Sequence, residues 1–359
     1  MIYLIDTIGN ETGMNLYDKA FHDEFKKKDI NVVTLSNFEG DDVLPILRNF
    51  YHGGKVKKIL GLAISWAQLL YFIIKHPNAV YVYQSFGLRF IDIIFLALLA
   101  RRRKAFLVVH DVFEITDGQK GGFKYKLQKY IYTHWVKNAI CHSKQAIETL
   151  RVEVCFKGNI LYYPHFSYNF CKDFNEAEIV DEVKKAIEQD KVNMLFFGQI
   201  RETKGIDVLI EAFKDIEINE NINVIIAGSD KSAIMKNVKL PKNVKTICRY
   251  IKDEELNYLF TKSNVILLPY KEIYQSGVLE TVVYFKKFAI MSDVRAFRDF
   301  VEQYPSFGII YAPNNGTALA ECMKQYSTIA CEYSASDIQK YHDDHDIDIL
   351  KKQMDAILN

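Results

Sequence analysis

The chain has 359 residues, 49% of them hydrophobic and 25% charged, with 46 basic against 45 acidic side chains. That length exceeds what one hydrophobic core usually serves, so two domains are expected. The composition is that of a globular protein, and a net charge of +1 supplies no global field to attract nucleic acid. Met1–Asp6 reads as a first strand and lacks the charged start and cleavage site of a signal peptide. Further strands are read at Asn31–Leu35, Val80–Tyr83, Ala105–Val109, Asn138–Cys141 and Ile160–Tyr162. Helical patterns fall between them, as at Met14–Lys27 and Ser143–Leu150. Continuous apolar strands separated by helices point to a parallel sheet covered on both faces.

Ile59–Ile74 is almost wholly apolar, with Lys55, Lys57 and Lys58 before it and Lys75 after it. It is shorter than the ~20 residues a membrane span needs. Ile91–Ala100 is a second apolar run and ends in Arg101–Lys104. Two readings stay open: core helices with solvated basic ends, or a surface resting on an anionic membrane through 55–75 and 91–104.

After Tyr162–His165 the pattern changes, and residues 169–190 read as a polar linker. Alternation then restarts with strands at Val192–Phe197, Val224–Ala227, Val265–Leu268, Phe288–Met291 and Gly308–Tyr311. Ile206, Leu209, Ile210 and Phe213 have the spacing of an amphipathic helix. The expected organisation is a first domain over 1–168, a second over 191–339, and a terminal helix over 340–359 returning to the first. The expected fold class is α/β, two doubly wound Rossmann-like domains facing across a cleft. The six cysteines, at 141, 155, 171, 248, 322 and 331, include no C-x-x-C pair. No zinc or disulfide framework is expected, and a reducing cytoplasm fits.

Two motifs carry chemistry. From Phe197 to Gly205 the chain reads Phe-Gly-Gln-Ile-Arg-Glu-Thr-Lys-Gly, a strand end, a loop with Arg201 and Lys204, and a helix start. Glycines admit a ligand close to the backbone, the helix start offers N–H donors, and the two cations suit a diphosphate. Further on, Glu272 and Glu280 flank the step from strand to helix after Pro269. Ligands bind at this edge of an open parallel sheet. The acidic run His342–Asp348 contains D-x-D patterns and two histidines, but an acid-rich helix start accounts for it, and no metal site is assigned.

Together these motifs resemble those of the retaining glycosyltransferases of family 4, which have the GT-B fold. Val109–Asp111, Ile140–Lys144 and Leu161–Phe166 resemble that family's segments in the expected order, so the likeness extends over most of the chain. It implies that Arg201 and Lys204 hold the diphosphate of a nucleotide-sugar donor and that Glu280 binds the ribose hydroxyls. Glu272 would lie against the transferred sugar, with the amides of Ser276, Gly277 and Val278 near the distal phosphate. His110 would contact the sugar from the opposite domain. Gly198 and Gly228 would complete the donor's surroundings, and the Ile8–Gly13 loop, including Gly13, would close over the donor or admit the acceptor. The implied donor is a substrate, so no cofactor is expected.

Three departures bear on donor identity and loop geometry. Tyr284–Ile290 lacks the family's usual glycine and proline, Met14 replaces the second glycine of the first loop, and Thr-Val-Val follows Glu280. The function implied by the resemblance is transfer of a sugar from a nucleotide donor with retention, and the apolar, basic-flanked segments at 55–75 and 91–104 point to a lipid-linked or growing surface glycan at the cytoplasmic face of a membrane as the acceptor. A sugar-nucleotide epimerase, a soluble-acceptor transferase and an inactive GT-B scaffold are the rival readings.

Overall fold

Strands form where apolar side chains run without interruption, because both faces of each central strand are covered. Ile2–Ile5 and Val265–Leu268 are buried at every residue. The computed structural model describes all residues except 10–13, 49, 51, 52, 101, 114–121, 167–173, 217–219, 327–333 and 359, and for 215 and 216 the backbone alone. The chain divides into two units, Met1–Phe166 with His345–Asn359, and Ser167–Asp344.

The first unit runs β1 (Ile2–Ile5), α1 (Met14–Lys26), β2 (Val32–Leu35), β3 (Val43–Leu44), α2 (Lys55–Lys75), β4 (Val80–Phe86), α3 (Phe90–Leu99), β5 (Ala105–Asp111), α4 (Phe123–His134), β6 (Asn138–Cys141), α5 (Lys144–Glu148) and β7 (Asn159–Tyr162). Its sheet has the order β3-β2-β1-β4-β5-β6-β7, with every pairing parallel. The order reverses between β1 and β4. The expected helix over Ser143–Leu150 is instead α5 followed by a wider π turn at Thr149–Glu153.

The second unit runs α6 (Asp181–Ala186), β8 (Val192–Phe197), α7 (Ile206–Ile216), β9 (Ile222–Ala227), β10 (Val244–Ile247), α8 (Asp253–Lys262), β11 (Val265–Leu268), α9 (Gly277–Tyr284), β12 (Phe288–Ser292), α10 (Arg295–Gln303), β13 (Gly308–Tyr311), α11 (Gly316–Gln325) and α12 (Ala335–Asp344). Its sheet order is β10-β9-β8-β11-β12-β13, again parallel throughout. Here the reversal falls between β8 and β11. The α7 pattern holds: Ile206, Leu209 and Phe213 sit in one buried cluster with Met194, Phe196, Ile226 and Leu267 of the strands.

The stretch read as a linker contains α6 and groups with the second unit. The single helix expected over 340–359 is two, because α12 ends at Asp344 and α13 (Ile347–Leu358) groups with the first unit. Asp346 accepts the Asp348 N–H at 2.9 Å, so an acidic side chain opens α13 as helix capping requires. Gln353 of α13 then meets the outer strand of the first sheet. Its side chain accepts from Tyr162 N at 3.1 Å and donates to Tyr162 O at 2.9 Å.

Two packing details of the second unit are testable. Gly228 has φ +152°, and a Cβ there would stand 1.7 Å from the Gly198 carbonyl oxygen. A backbone atom cannot retreat as a side chain does, so Gly228→Ala should cost at least about 2 kcal/mol in urea unfolding. In α9, Glu280 is buried and accepts the hydroxyl of Tyr341 from α12, whose ring packs with Tyr304 and Phe307. Burial pushes the Glu280 carboxyl up to about 8. A carboxyl raised in the folded state leaves stability untouched below the unfolded value of 4.5 and erodes it as pH climbs toward about 8. Glu280→Gln keeps the shape and removes the titration. Its melting temperature should exceed that of the parent by a margin that widens across that window, and a constant margin would refute the assignment.

Candidate functional site

The second unit brings both motifs to one edge of its sheet. β8 ends at Phe197, and the chain passes Gly198 to Arg201, makes a single 3-10 turn at Glu202–Lys204, and enters α7 through Gly205. Gly205 is left-handed, with φ +69°, and a Cβ on it would lie 1.7 Å from the carbonyl oxygen of Pro269. The loop after β8 therefore lies directly against the end of β11. The Lys271 N–H donates to Thr203 O at 3.1 Å and stitches the two loops together. Ile200 N donates to Ser229 O at 3.0 Å, and Gly228 abuts Gly198, which ties in the end of β9. These strand ends flank the point where the sheet order reverses, and doubly wound sheets open a crevice there.

Tyr270 lies beneath the cations. Lys204 Nζ stands 3.7 Å from the centre of its ring, a cation–π contact. Arg201 is exposed at the same loop. Burial pushes the Tyr270 hydroxyl up to about 12, while the nearby Arg201 charge pulls the other way. The Tyr270 carbonyl accepts from Ser292 Oγ, which anchors the residue to β12. Sequence reasoning missed Tyr270. An aromatic residue directly after Pro269, at a strand end, was the available signal.

Glu272 follows in the same loop and is exposed. Ser276 caps α9, its Oγ accepting from Leu279 N at 3.3 Å. The first N–H groups of α9, those of Gly277 and Val278, have no acceptor within the helix and lie at its positive end. Val278 reaches toward Gly198, with its Cγ2 3.8 Å from where a Cβ would stand. An exposed arginine, a lysine fixed over a ring, and helix N–H groups thus share the stitched loops, a donor set suited to a diphosphate. Glu280, to which the resemblance assigns the ribose hydroxyls, is placed differently from Glu272. It lies inside α9, neutralised by burial and bonded to Tyr341, which no sequence spacing had connected to it.

In the first unit, His110 is buried at the end of β5. Its Nε2 lies 2.7 Å from Gln84 Oε1, and its ring stacks on Phe86 with centroids 4.3 Å apart. The Gln84 amide nitrogen donates to Asp18, so its oxygen must face the histidine and accept. Burial, then the charge of neighbouring Asp6, holds the Asp18 carboxyl well above the usual carboxylate range. Asp6 accepts the Ile8 and Gly9 N–H groups at 2.8 Å each and shapes the start of the loop after β1. Gly13, at the far end of that loop, lies outside the described residues. Burial also holds the His110 imidazole well below its usual value, so it is neutral with its proton on Nε2.

His142 and His165 are buried and hydrogen-bonded within the first unit. His142 bonds Tyr17 Oη and Tyr163 O, each at 2.9 Å, and His165 bonds Phe166 O at 3.0 Å. Burial lowers them to about 4 and about 3. Among the described residues, no three His, Cys, Asp or Glu side chains are grouped to hold a metal. The acids of 342–348 have other partners: Asp344 accepts from Gln303 and Tyr304, and Asp346 and Asp348 pair with Lys28.

Comparison with known proteins bears on the same region. Residues 178–342 match the model of the family described as Glycosyl transferases group 1, which is just under half of the chain. No curated protein matches the chain. Among solved structures, sucrose-phosphate synthase from Thermosynechococcus elongatus is similar with a TM-score of 0.74 at 15% identity, covering 99% of this chain and 97% of that one. HepE from Anabaena, solved in complex with UDP-glucose, is similar with a TM-score of 0.69 at 12% identity, covering 99% and 98%. WaaG, a glycosyltransferase involved in lipopolysaccharide biosynthesis, is similar with a TM-score of 0.64 at 14% identity, covering 99% of each chain. The fold is therefore that of GT-B glycosyltransferases, two Rossmann-like parallel-sheet domains, and the glycosyl transferase likeness in sequence lies in residues 178–342.

Proposed function

We propose that this chain is a retaining glycosyltransferase that moves a sugar from a nucleotide-sugar donor to a lipid-linked or growing surface glycan, working at the cytoplasmic face of a membrane. The observation that carries this reading is the pair of stitched loops at the switch point of the second sheet, bearing Arg201, Lys204 and Glu272 beside the free end of α9. They lie within the segment that matches the glycosyltransferase family. HepE, solved with UDP-glucose, shares the fold and supports a donor of that kind.

The chemistry follows from charge. As the glycosidic bond breaks, negative charge grows on the distal phosphate of the leaving nucleoside diphosphate. Arg201, Lys204 and the N–H groups of Gly277 and Val278 meet that charge with groups already in place. In the retaining route assigned here the acceptor hydroxyl attacks from the face the phosphate leaves, and the departing phosphate takes its proton. Glu272 then orients the sugar and is no glycosidase nucleophile. Glu280 would release its proton, or yield from Tyr341, on receiving the ribose hydroxyls. The donor is a substrate, so no cofactor is assigned.

Lys204→Ala and Glu272→Gln should each lower turnover by about two orders of magnitude, comparable to losing one oxyanion-type donor. Near-normal turnover in either variant would remove its role. The donor is found by thermal shift against a panel of nucleotide sugars, since a bound donor raises the melting temperature by mass action. Donor conversion without any acceptor would identify an epimerase instead, and no donor binding at all a scaffold. His110 offers a separate check. Nitrogen chemical shifts should report a neutral ring protonated at Nε2 at neutral pH, and Gln84→Met should mix the tautomers and lower kcat more than it raises donor KM. An unchanged ring in that variant would show that Gln84 does not position it.

A further inference from the structure

Helix α2 is apolar on the side it shows to solvent. Val56, Leu60, Ala63, Ala67, Tyr71 and Ile74 are spaced by three or four residues, form one stripe, and are all exposed. Ile59 and Ile64 flank it, and exposure reaches 72% at Val56, 66% at Ile59 and 68% at Ile74. From residue 56 to 74 the stripe runs for about 27 Å without a charged side chain. A surface helix of a soluble fold normally carries charge there.

The opposite side is already in use. Ser65, Leu69 and Ile73 are buried, Ser65 Oγ accepts from Arg48 N at 2.7 Å, and Phe72 meets Tyr3 edge to face. The helix is long and apolar enough to cross a membrane by length and composition. Packed along one side against its own sheet, it cannot be ringed by lipid, so it can only lie on a surface.

Charge decides what that surface is. Lys55, Lys57 and Lys58 stand in or next to the first turn, where the helix dipole is already positive, and that turn has no acid. Lys75 closes the last turn, its Nζ 5.9 Å from the Tyr71 ring. Arg102 and Lys104 bond to the carbonyls of Pro77 and Asn78 just beyond it. Both ends of an apolar bar are therefore positive. Two copies laid stripe to stripe would oppose positive ends in either direction. Anionic headgroups would complement both ends while the stripe enters the acyl boundary.

We infer that α2 docks this protein in the plane of an anionic lipid bilayer, through the Val56–Ile74 stripe and the lysines at its ends. This does not rest on the transferase reading, because vesicle binding and sugar transfer are separate measurements. The test is co-sedimentation of the full chain with vesicles of phosphatidylcholine alone or with phosphatidylglycerol added, at low and high salt. Binding should require the anionic lipid and weaken with salt. Lys55→Gln, Lys57→Gln and Lys58→Gln together should weaken it roughly a hundredfold, at about fivefold per lysine. Leu60→Gln with Ile74→Gln should weaken it by at least about tenfold through lost apolar burial. All these positions are on the surface and outside the donor site, so transfer to a soluble acceptor should persist. Failure to sediment with anionic vesicles at low salt, or binding that ignores both the lipid charge and the lysines, overturns the inference. So does a dimer that Leu60→Gln with Ile74→Gln converts to a monomer, which would make a second copy the true occupant.

Discussion

A carbonyl oxygen of Pro269 occupies the space that a side chain at position 205 would need. That contact between two backbones sets the geometry of the loops proposed to hold the donor. It forces a left-handed glycine at the entrance to α7, holds the loop after β8 against the loop after β11, and leaves Lys204 above the Tyr270 ring. The same principle recurs where Gly228 meets Gly198. Cationic side chains are long and lose much conformational entropy when fixed, so a rigid backbone beneath them is what makes a preorganised phosphate site feasible.

Both units also keep ionisable groups away from water, and at Asp18, His110 and Glu280 burial favours the neutral form. In the first unit burial raises the Asp18 carboxyl and lowers the His110 imidazole, and the Gln84 amide bonds to both. Glu280 is held neutral in the second, with Tyr341 as its hydrogen-bond partner. In a low-dielectric setting such chains are strong when every member is satisfied. Glu272 and Arg201, by contrast, are both in contact with solvent.

Most of the architecture was legible because parallel sheets covered on both faces write themselves as apolar runs. Ile2–Ile5, Asn138–Cys141, Val192–Phe197, Val265–Leu268 and Gly308–Tyr311 appear as read. β3 and β10 were missed for local reasons: Val43–Leu44 is only two residues long, and Val-Lys-Thr-Ile at 244–247 mixes polar residues into the run, as edge strands do. The loop motifs were visible since glycines and cations fall within nine residues of one another. Tyr341 against Glu280, or Gln84 between Asp18 and His110, links positions dozens of residues apart, and no local period encodes such pairs. The outer stripe of α2 was hidden for a different reason. Ile59–Ile74 is almost wholly apolar, so its pattern alone does not say which side faces the protein.

The second unit is one continuous stretch of chain, whereas the first is interrupted and regains its final helix only from 345 onward. During synthesis β7 is therefore made long before Gln353, whose amide serves its exposed N–H and carbonyl. For the time it takes the ribosome to add the intervening residues, that rim of the sheet stands open to strand addition by a neighbouring nascent chain. Yield on expression should consequently be sensitive to translation speed and to loss of the α13 segment, even though neither touches the donor loops.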